Sequence, residues 1–387
     1  MMKKILILNH YAGTPKYGME YRHYEIGKEL VRNGIEVCIV ASSFSHLRLS
    51  PSVSEEVIDG IHFKWIKTTK YKKYGIGRLF NMLSFSLHLF FKSKFPFEPD
   101  IIIVSSPSPF PILNAIRLKK RYNAKLIYEI RDVWPKSIVE LNGTSKNNPL
   151  ILFLDWLDSL GIRKSDFILS PLSNIKEYIY EKGFEKEVII IPNGISSFDK
   201  NEEEALDSNL FVVGYGGSLG DSNSIMNLIE AAVLLKENKN VFFKIVGDGN
   251  RYEDIKDIIK RKGLENIKLY GRVTKDELFS ILKTCDILYK GNPRKDIYKY
   301  GVSSIKMVEY LLLKKPIIDA SFGVDLVKKS ESGVIVPHEN PRELSKGILR
   351  MKNMEKKDLE IMANNGFEYV VNNYLYKKSI KRLLEKV

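Results

Sequence analysis

Short apolar runs punctuated by glycine, proline and polar clusters recur along the chain, and between them the apolar spacing turns helical. Lys3–Asn9 (KKILILN) reads as a short buried strand, followed by a loop carrying Gly13, Pro15 and Gly18. A helix is predicted from about Glu20 to Arg32, stopped by Asn33-Gly34, and Glu36–Ser42 reads as the next strand. Strand, glycine-bearing loop, helix and strand make a βαβ unit, which implies a parallel sheet whose binding edge lies at the strand C-termini. Ile61–Ile66 alternates like a half-exposed strand. Ile101–Ser105, a helix ending at Tyr122 after the turn SPSPFP, and Lys125–Ile130 follow, and Phe167–Ser170 and Val188–Ile191 complete a first sheet.

After Pro192-Asn193-Gly194 the stretch Asp199–Asn209 is acidic, polar and aperiodic, as a linker would be. A second series then runs through Leu210–Tyr215, Val241–Val246, Ile267–Tyr270, Ile287–Tyr289, Ile317–Ala320 and Val334–Val336, with helices between most of these. The tail Asn364–Val387 reads as helical and basic. The pattern predicts an α/β protein of two Rossmann-like doubly wound domains, 1–194 and 210–371, joined by a linker at 195–209. A C-terminal helix at about 372–387 is expected to pack back on the first domain, and the site to lie in the cleft between the two.

Composition adds three points. At 387 residues and 44% hydrophobic content the chain exceeds a single core, in keeping with two globular domains. Cys38 and Cys285 stand in apolar contexts without metal or redox spacing, and read as buried reduced thiols of a cytoplasmic protein. The N-terminal apolar run is too short for a signal peptide, and no run of about 18 apolar residues is present to span a membrane.

The net charge of +14 is unevenly spread. From Gly60 to Phe97 there is no acidic residue, while Lys64, Lys67, Lys70, Lys72, Lys73, Arg78, Lys92 and Lys94 all fall there. Between them Ile76, Leu79, Phe80, Leu83, Leu87, Phe90 and Phe91 share one helical face. A basic, aromatic-rich amphipathic helix suits the headgroup plane of an anionic membrane. The competing accounts are an ordinary core-facing helix with lysines on its wet side and, since charge alone does not choose a polyanion, nucleic acid. The expectation is an anionic membrane surface engaged through residues 64–94, and no nucleic-acid partner.

Candidate chemistry centres on Tyr300–Pro316, YGVSSIKMVEYLLLKKP. Ser303 suits an N-cap, and Ile305, Val308, Leu311 and Leu312 predict a helix from about Ser304 to Leu313. Lys306 in the first turn opposes the helix dipole, and Lys306 before Glu309 is the poorer orientation of such a pair. An anion at the helix start turns that arrangement into a favourable one, because N–H groups, dipole and lysine then act on one charge. Glu309, one turn deeper, suits hydroxyls, so phosphate and ribose together suggest a nucleoside-diphosphate site. A solvated Lys–Glu pair on an amphipathic helix explains the same residues. Gly214–Gly220 (GYGGSLG) follows a strand and precedes a helix, as phosphate cradling requires, yet lacks both the dinucleotide fingerprint and the lysine of a P-loop. Gly247-Asp248-Gly249 and Gly271-Arg272-Val273 end two further strands. Each turn alone is explained as well by packing; their gathering on one sheet edge is the stronger signal. In the first half, Asn9-His10-Tyr11, Gly18–Arg22 and Arg131-Asp132 sit at strand edges as reactive groups or structural ion pairs.

These residues resemble a known family. Asn9–Arg48 (NHYAGTPKYGMEYRHYEIGKEL…VCIVASSFSHLR), Tyr128–Ser137 (YEIRDVWPKS), Tyr215–Gly220, Val246–Gly249 and Gly301–Tyr310 (GVSSIKMVEY) are similar to family 4 retaining glycosyltransferases of the GT-B fold. The similarity is greatest to the branch that builds bacterial surface polysaccharides such as O-antigen and capsule, which includes N-acetylfucosaminyl transferases. The resemblance implies a donor site for a UDP-linked sugar at Gly216, Gly217, Ser218, Gly247, Asp248, Arg272, Val273, Gly301, Ser303, Ser304, Lys306 and Glu309. It implies acceptor contacts at His10, Gly18, Glu20 and Arg22, and catalytic roles for Asp132 and Lys306, with Arg131, Glu20 and His10 as rivals to Asp132. No metal or other cofactor is implied. The acceptor would be a saccharide on undecaprenyl diphosphate, met at the inner face of the membrane. Two departures stand out: Gly301 replaces the first glutamate of the usual Glu-x7-Glu pair, and Ser218 with Asp221–Ser224 supplies no base after the glycine loop. A UDP-N-acetylhexosamine 2-epimerase of the same fold is an alternative that the lysine-rich Gly60–Phe97 stretch disfavours. A non-catalytic nucleotide-binding partner is another, which Gly301 favours and Lys306 with Glu309 disfavours.

Overall fold

The computed structural model describes residues 2–18, 21–46, 48–72, 76–91, 94–196 and 210–386. Glu20 and the predicted linker Asp199–Asn209 lie outside them, as do Lys73 and Lys92 of the basic stretch. The chain divides into two compact units, Met1–Ser196 with Leu375–Val387, and Ser197–Tyr374.

The first unit is built on an eight-stranded sheet in the order β3-β4-β2-β1-β5-β6-β7-β8. Its strands are β1 (Lys4–Leu8), β2 (Glu36–Ser42), β3 (Glu55–Ile58), β4 (Ile61–Ile66), β5 (Ile101–Ser105), β6 (Lys125–Glu129), β7 (Phe167–Ser170) and β8 (Val188–Ile190). Its helices are α1 (Arg22–Arg32), α2 (Ile76–Phe91), α3 (Pro111–Tyr122), α4 (Lys136–Asn142), α5 (Pro149–Lys164) and α6 (Ile175–Glu181). The strands β1, β5 and β6 are buried along most of their length, as strands covered on both faces are. The sequence pattern did not reveal β3, an antiparallel edge strand whose EEVI residues alternate between exposed and half-buried. Its signal was the Asp59-Gly60 turn, where both residues take the left-handed conformation of a two-residue hairpin (φ 48° and 79°). The helix expected from Glu20 is described from Arg22.

The second unit has a six-stranded, wholly parallel sheet in the order β11-β10-β9-β12-β13-β14. Its strands are β9 (Phe211–Gly216), β10 (Val241–Val246), β11 (Ile267–Leu269), β12 (Ile287–Asn292), β13 (Ile317–Ser321) and β14 (Gly333–Ile335). Around them lie α7 (Ile225–Leu234), α8 (Tyr252–Lys262), α9 (Lys275–Lys283), α10 (Ile305–Leu312), α11 (Leu326–Ser330), α12 (Pro341–Lys352) and α13 (Lys356–Asn373). Strand order reverses between β9 and β12, the switch point at which doubly wound sheets open a crevice.

The tail is not one helix. After α13, which packs on α10, the chain returns to the first unit as two short turns, α14 (Tyr376–Ser379) and α15 (Lys381–Leu384). Tyr376 N–H donates to the Ile195 carbonyl at 3.0 Å, and Tyr376, Ile380 and Leu383 are buried in the first unit's core.

The apolar stripe of α2 departs from the competing account of a core-facing helix. The side that packs inward carries Asn81, Met82, Phe85, Ser86 and Leu89. The aromatic stripe faces solvent instead: Ile76 is 73%, Phe80 60% and Phe91 80% exposed, with Leu83, Leu87 and Phe90 exposed beside them. On α5 of the same unit Leu150, Leu152, Phe153 and Trp156 are also exposed. Among the described residues no helix is long and apolar enough to cross a membrane. Cys38 and Cys285 are buried and unpaired, and burial pushes both thiols up to about 12.

Candidate functional site

In the second unit three glycine turns at the C-terminal ends of β9, β10 and β11 wall one cavity of about 610 Å³, lined by Gly217, Ser218, Val246, Gly247, Asp248, Gly249, Arg272, Val273 and Leu278. The turns interlock through their backbones: Gly217 N–H donates to the Val246 carbonyl at 2.9 Å, and Gly247 N–H to the Gly271 carbonyl at 2.8 Å. Gly217 and Gly247 take φ values of 141° and 142°. A Cβ on Gly247 would lie 1.8 Å from the Gly217 carbonyl oxygen, so only glycine lets these turns close on one another. The Asp248 carboxylate accepts the Gly249 N–H at 2.7 Å and shapes the turn.

Lys306 reaches this edge from the first turn of α10. Its Nζ donates to Tyr215 Oη at 3.0 Å and Asn223 Oδ1 at 3.3 Å, and lies 4.4 Å from the Tyr215 ring centre. A Cβ on Gly217 would meet that Nζ at 2.4 Å, so the ammonium abuts the glycine turn. Burial, and then repulsion from Lys290, push Lys306 down to about 7. A buried lysine whose ammonium abuts a glycine turn, at the start of a helix, has a geometry that suits an anion. Tyr310, further along α10, clamps the helix to the sheet, its Oη accepting from Gly216 N–H at 2.8 Å and donating to the Gly216 carbonyl at 3.0 Å. Gly216 is therefore covered by Tyr310, and the cavity wall begins at Gly217.

Several expected donor residues stand around the cavity rather than in its wall. Ser304, not Ser303, occupies the N-cap of α10, and its side chain makes no capping bond, which leaves the first-turn N–H groups without that partner. Gly301 ends a 3-10 turn (Asp296–Tyr300) with φ 105°. Glu309 pairs with Lys275 of α9 at 2.8 Å, tying α10 to the helix that supplies Leu278. Sequence reasoning missed Tyr215, Asn223, Tyr310 and the buried pair Lys290–Asp319, which are register neighbours on β12 and β13. Burial pushes Lys290 down to about 8 and Asp319 up to about 6. The visible signal was a lysine inside an otherwise apolar strand.

In the first unit the same sheet edge is filled by side chains. Glu129, at the end of β6, accepts from Arg22 Nε at 2.8 Å, His23 Nε2 at 2.6 Å and Ser105 Oγ at 2.6 Å. Burial alone would raise its carboxyl, but His23, Arg22 and Arg131 hold it well below the usual range. With His23 Nε2 donating to Glu129, its Nδ1 accepts from Asn9 Nδ2 at 2.7 Å, a neutral ring that suits the downward shift burial imposes on it. Arg22 also donates to the carbonyls of Ile191 and Pro192, at 2.8 and 3.0 Å, so it is engaged within the fold. His10 is fully buried, bonds Asn81 of α2 at 2.7 Å, and is pushed down to about 3 by burial. Gly18 closes a small turn onto Thr14 at 2.8 Å. Asp132 is the exposed member, accepting Ser137 Oγ at 3.2 Å, and surrounding protein raises its carboxyl against that bond and Arg131. The neighbouring Arg131 N–H donates to Ser106 Oγ at 2.9 Å. Among the described residues no group of three or more His, Cys, Asp or Glu side chains gathers as metal ligands would.

Two doubly wound units, one carrying interlocked glycine turns around a cavity beside a switch point, define a protein of the GT-B class. Comparison agrees. The chain matches the family model described as Glycosyltransferase Family 4 over residues 17–197 and that of Glycosyl transferases group 1 over 196–369. It belongs to these glycosyltransferases. Among curated relatives it is 26% identical over 207 residues to an uncharacterised glycosyltransferase of Methanocaldococcus jannaschii, covering 53% of this chain and 54% of that protein. It is 25% identical over 227 residues to the putative colanic acid biosynthesis glycosyl transferase WcaI of Escherichia coli, covering 54% and 56%. The chain thus spans about half the length of these relatives. It is 21% identical to the probable glycosyltransferase WbjE of Pseudomonas aeruginosa, covering 74% and 73%. Among solved structures, sucrose-phosphate synthase of Thermosynechococcus elongatus superposes with TM-score 0.73 at 13% identity, covering 99% and 98%. Anabaena HepE, solved with UDP and glucose, superposes with TM-score 0.66 at 16% identity, covering 99% of each chain. At such identities the likeness establishes the fold.

Proposed function

We propose that the chain transfers a sugar, an N-acetylated amino sugar, from a UDP donor to a saccharide on a lipid diphosphate in surface-polysaccharide synthesis, with retention of configuration and without a metal. The observation that carries this reading is the cavity walled by three glycine turns with the Lys306 ammonium against Gly217. In this reading uracil meets the Arg272-Val273 turn, the ribose lies toward Glu309, and the diphosphate lies across Gly217 toward Lys306 and the uncapped start of α10. The UDP and UDP-glucose complexes of Anabaena HepE support a nucleotide-sugar donor, and the colanic acid assignment of WcaI supports a polysaccharide product.

The demanding step is cleavage of the bond between the anomeric carbon and the β-phosphate oxygen, whose electron pair leaves with UDP. Lys306 and backbone N–H groups stabilise that charge as it grows, and a preorganised donor of this kind contributes about 3 kcal/mol. An acceptor hydroxyl attacks the face that UDP leaves, with Asp132 orienting the hydroxyl or taking its proton. The exposed α2 stripe and the acid-free, lysine-rich segment around it support seating on an anionic membrane, where a lipid-linked acceptor resides. A thermal-shift screen of nucleotides and nucleotide sugars tests the reading, since a ligand at a hundredfold its Kd adds about 2.7 kcal/mol of stability. UDP and at least one UDP-sugar are expected to raise the midpoint. If no uridine nucleotide does, the transferase reading fails.

A further inference from the structure

The root of α2 holds two arginines whose hydrogen bonds reach no carboxylate among the described residues. Arg78 stands in the first turn of the helix, where a cation opposes the dipole, and that turn contains no acid. Its Nε donates to Tyr11 Oη at 2.8 Å, and its guanidinium lies 5.2 Å from the Tyr11 ring centre. Tyr71 Oη bonds His46 Nδ1 at 2.7 Å and neighbours the Tyr11 hydroxyl. Behind them Arg48 is buried, with Nε on the Ala12 carbonyl at 3.1 Å, Nη1 on the Leu49 carbonyl at 3.3 Å and Nη2 on the Ser42 carbonyl. It stacks over Trp65 at 4.8 Å. Carbonyls accept from Nε, Nη1 and Nη2 but bring no negative charge, and burial lowers it to about 10. The hydrogen bonds of Arg48 and Arg78 among the described residues reach carbonyls and a phenol, and no carboxylate.

Two arginines with no hydrogen-bonded carboxylate, two phenols beside them and a helix start together suit a phosphate ester. The helix itself indicates what the ester is attached to. Arg78 lies on the inward flank of α2, toward the end of β1, while the apolar stripe of Phe80, Leu83, Leu87 and Phe90 lies on the outward flank of the same helix. An anion at Arg78 therefore sits between the sheet edge and a surface made for hydrocarbon.

We infer that Arg78, Tyr11 and Tyr71, backed by Arg48, bind the phosphate or diphosphate of an amphiphilic acceptor, leaving its hydrocarbon to the outward side of α2 and its saccharide to the edge of the first unit. This rests on the acceptor reading proposed above and supplies its anchoring site. The test is titration of the full chain with farnesyl diphosphate, farnesol and inorganic pyrophosphate, and sedimentation with phosphatidylglycerol vesicles. Farnesyl diphosphate is expected to bind more tightly than either fragment. Arg78→Met should weaken it at least tenfold and Tyr71→Phe a few-fold, with farnesol unaffected and the thermal midpoint of each variant within a few degrees of the parent. Equal affinity of the parent and Arg78→Met for farnesyl diphosphate overturns the site. Arg78-dependent binding of pyrophosphate as tight as that of farnesyl diphosphate overturns the amphiphile in favour of a free anion. Loss on phosphatidylglycerol vesicles alone overturns it in favour of a bulk headgroup contact. Failure of UDP to stabilise the chain would sink the transferase reading and leave these outcomes interpretable.

Discussion

The two units share one winding scheme and use its C-terminal edge in opposite ways. In the second unit the edge is opened by missing side chains: Gly217, Gly247 and Gly249 allow strand-end turns to approach until backbone touches backbone, and a cavity remains. In the first unit the edge is filled by Glu129, Arg22, His23 and Ser105, locked together in the interior. Their outer surfaces differ as well. The exposed large apolar residues of the second unit are scattered, whereas the first concentrates them on α2 and α5. A patch of that kind marks an interaction surface. One fold thus leaves a cavity among backbone turns in one unit and an apolar helix face outside the core in the other.

The sharpest way to break the first unit's half of this contrast is Glu129→Ala, which leaves buried Arg22 without its counter-charge. A loss of about 3–5 kcal/mol is expected, read as a fall in the denaturant midpoint. A loss under 1 kcal/mol would mean the network is dispensable. Gly247→Ala attacks the other edge: strain at φ 142° alone costs about 1–3 kcal/mol, and its clash with Gly217 should abolish UDP binding while the first unit's denaturation midpoint stays unchanged. Phe80→Glu with Leu87→Glu should reduce sedimentation with phosphatidylglycerol vesicles tenfold or more with little change in stability, because both side chains already face water. A marked drop in stability would mean the stripe packs within the protein. The gentlest test is pH. Lys306 titrates near 7 in the folded chain against 10.5 ordinarily, and its protonated form favours the diphosphate. UDP-sugar affinity should therefore fall as pH rises through 7 and above, by at most about tenfold per unit, and Lys306→Arg should flatten the profile.

What the sequence revealed follows the same division. Parallel strands and glycine turns are written locally, so the parallel strands, the glycine turns and the Lys306 helix could be read from runs and spacing. The α2 stripe was equally visible, but periodicity fixes only that its residues share a face. Whether that face turns inward depends on Asn81, Met82 and Phe85, whose burial is a tertiary fact. Glu129 and Lys290 were overlooked for the complementary reason. Each is a polar residue on a largely apolar strand, and the charged partners Arg22 and His23 lie 107 and 106 residues from Glu129, while Asp319 lies beside Lys290 on the adjacent strand. The tail misled because continuous helical periodicity spans the break at Tyr374, where the chain leaves one unit for the other.

The central claim is that the second unit's cavity, with Lys306 at its edge, holds the diphosphate of a nucleotide sugar. Calorimetric titration of UDP and uridine into the parent and Lys306→Ala tests it most directly. The account predicts that UDP affinity falls about a hundredfold in the variant while uridine affinity stays the same. Equal UDP affinity in the two proteins would contradict it.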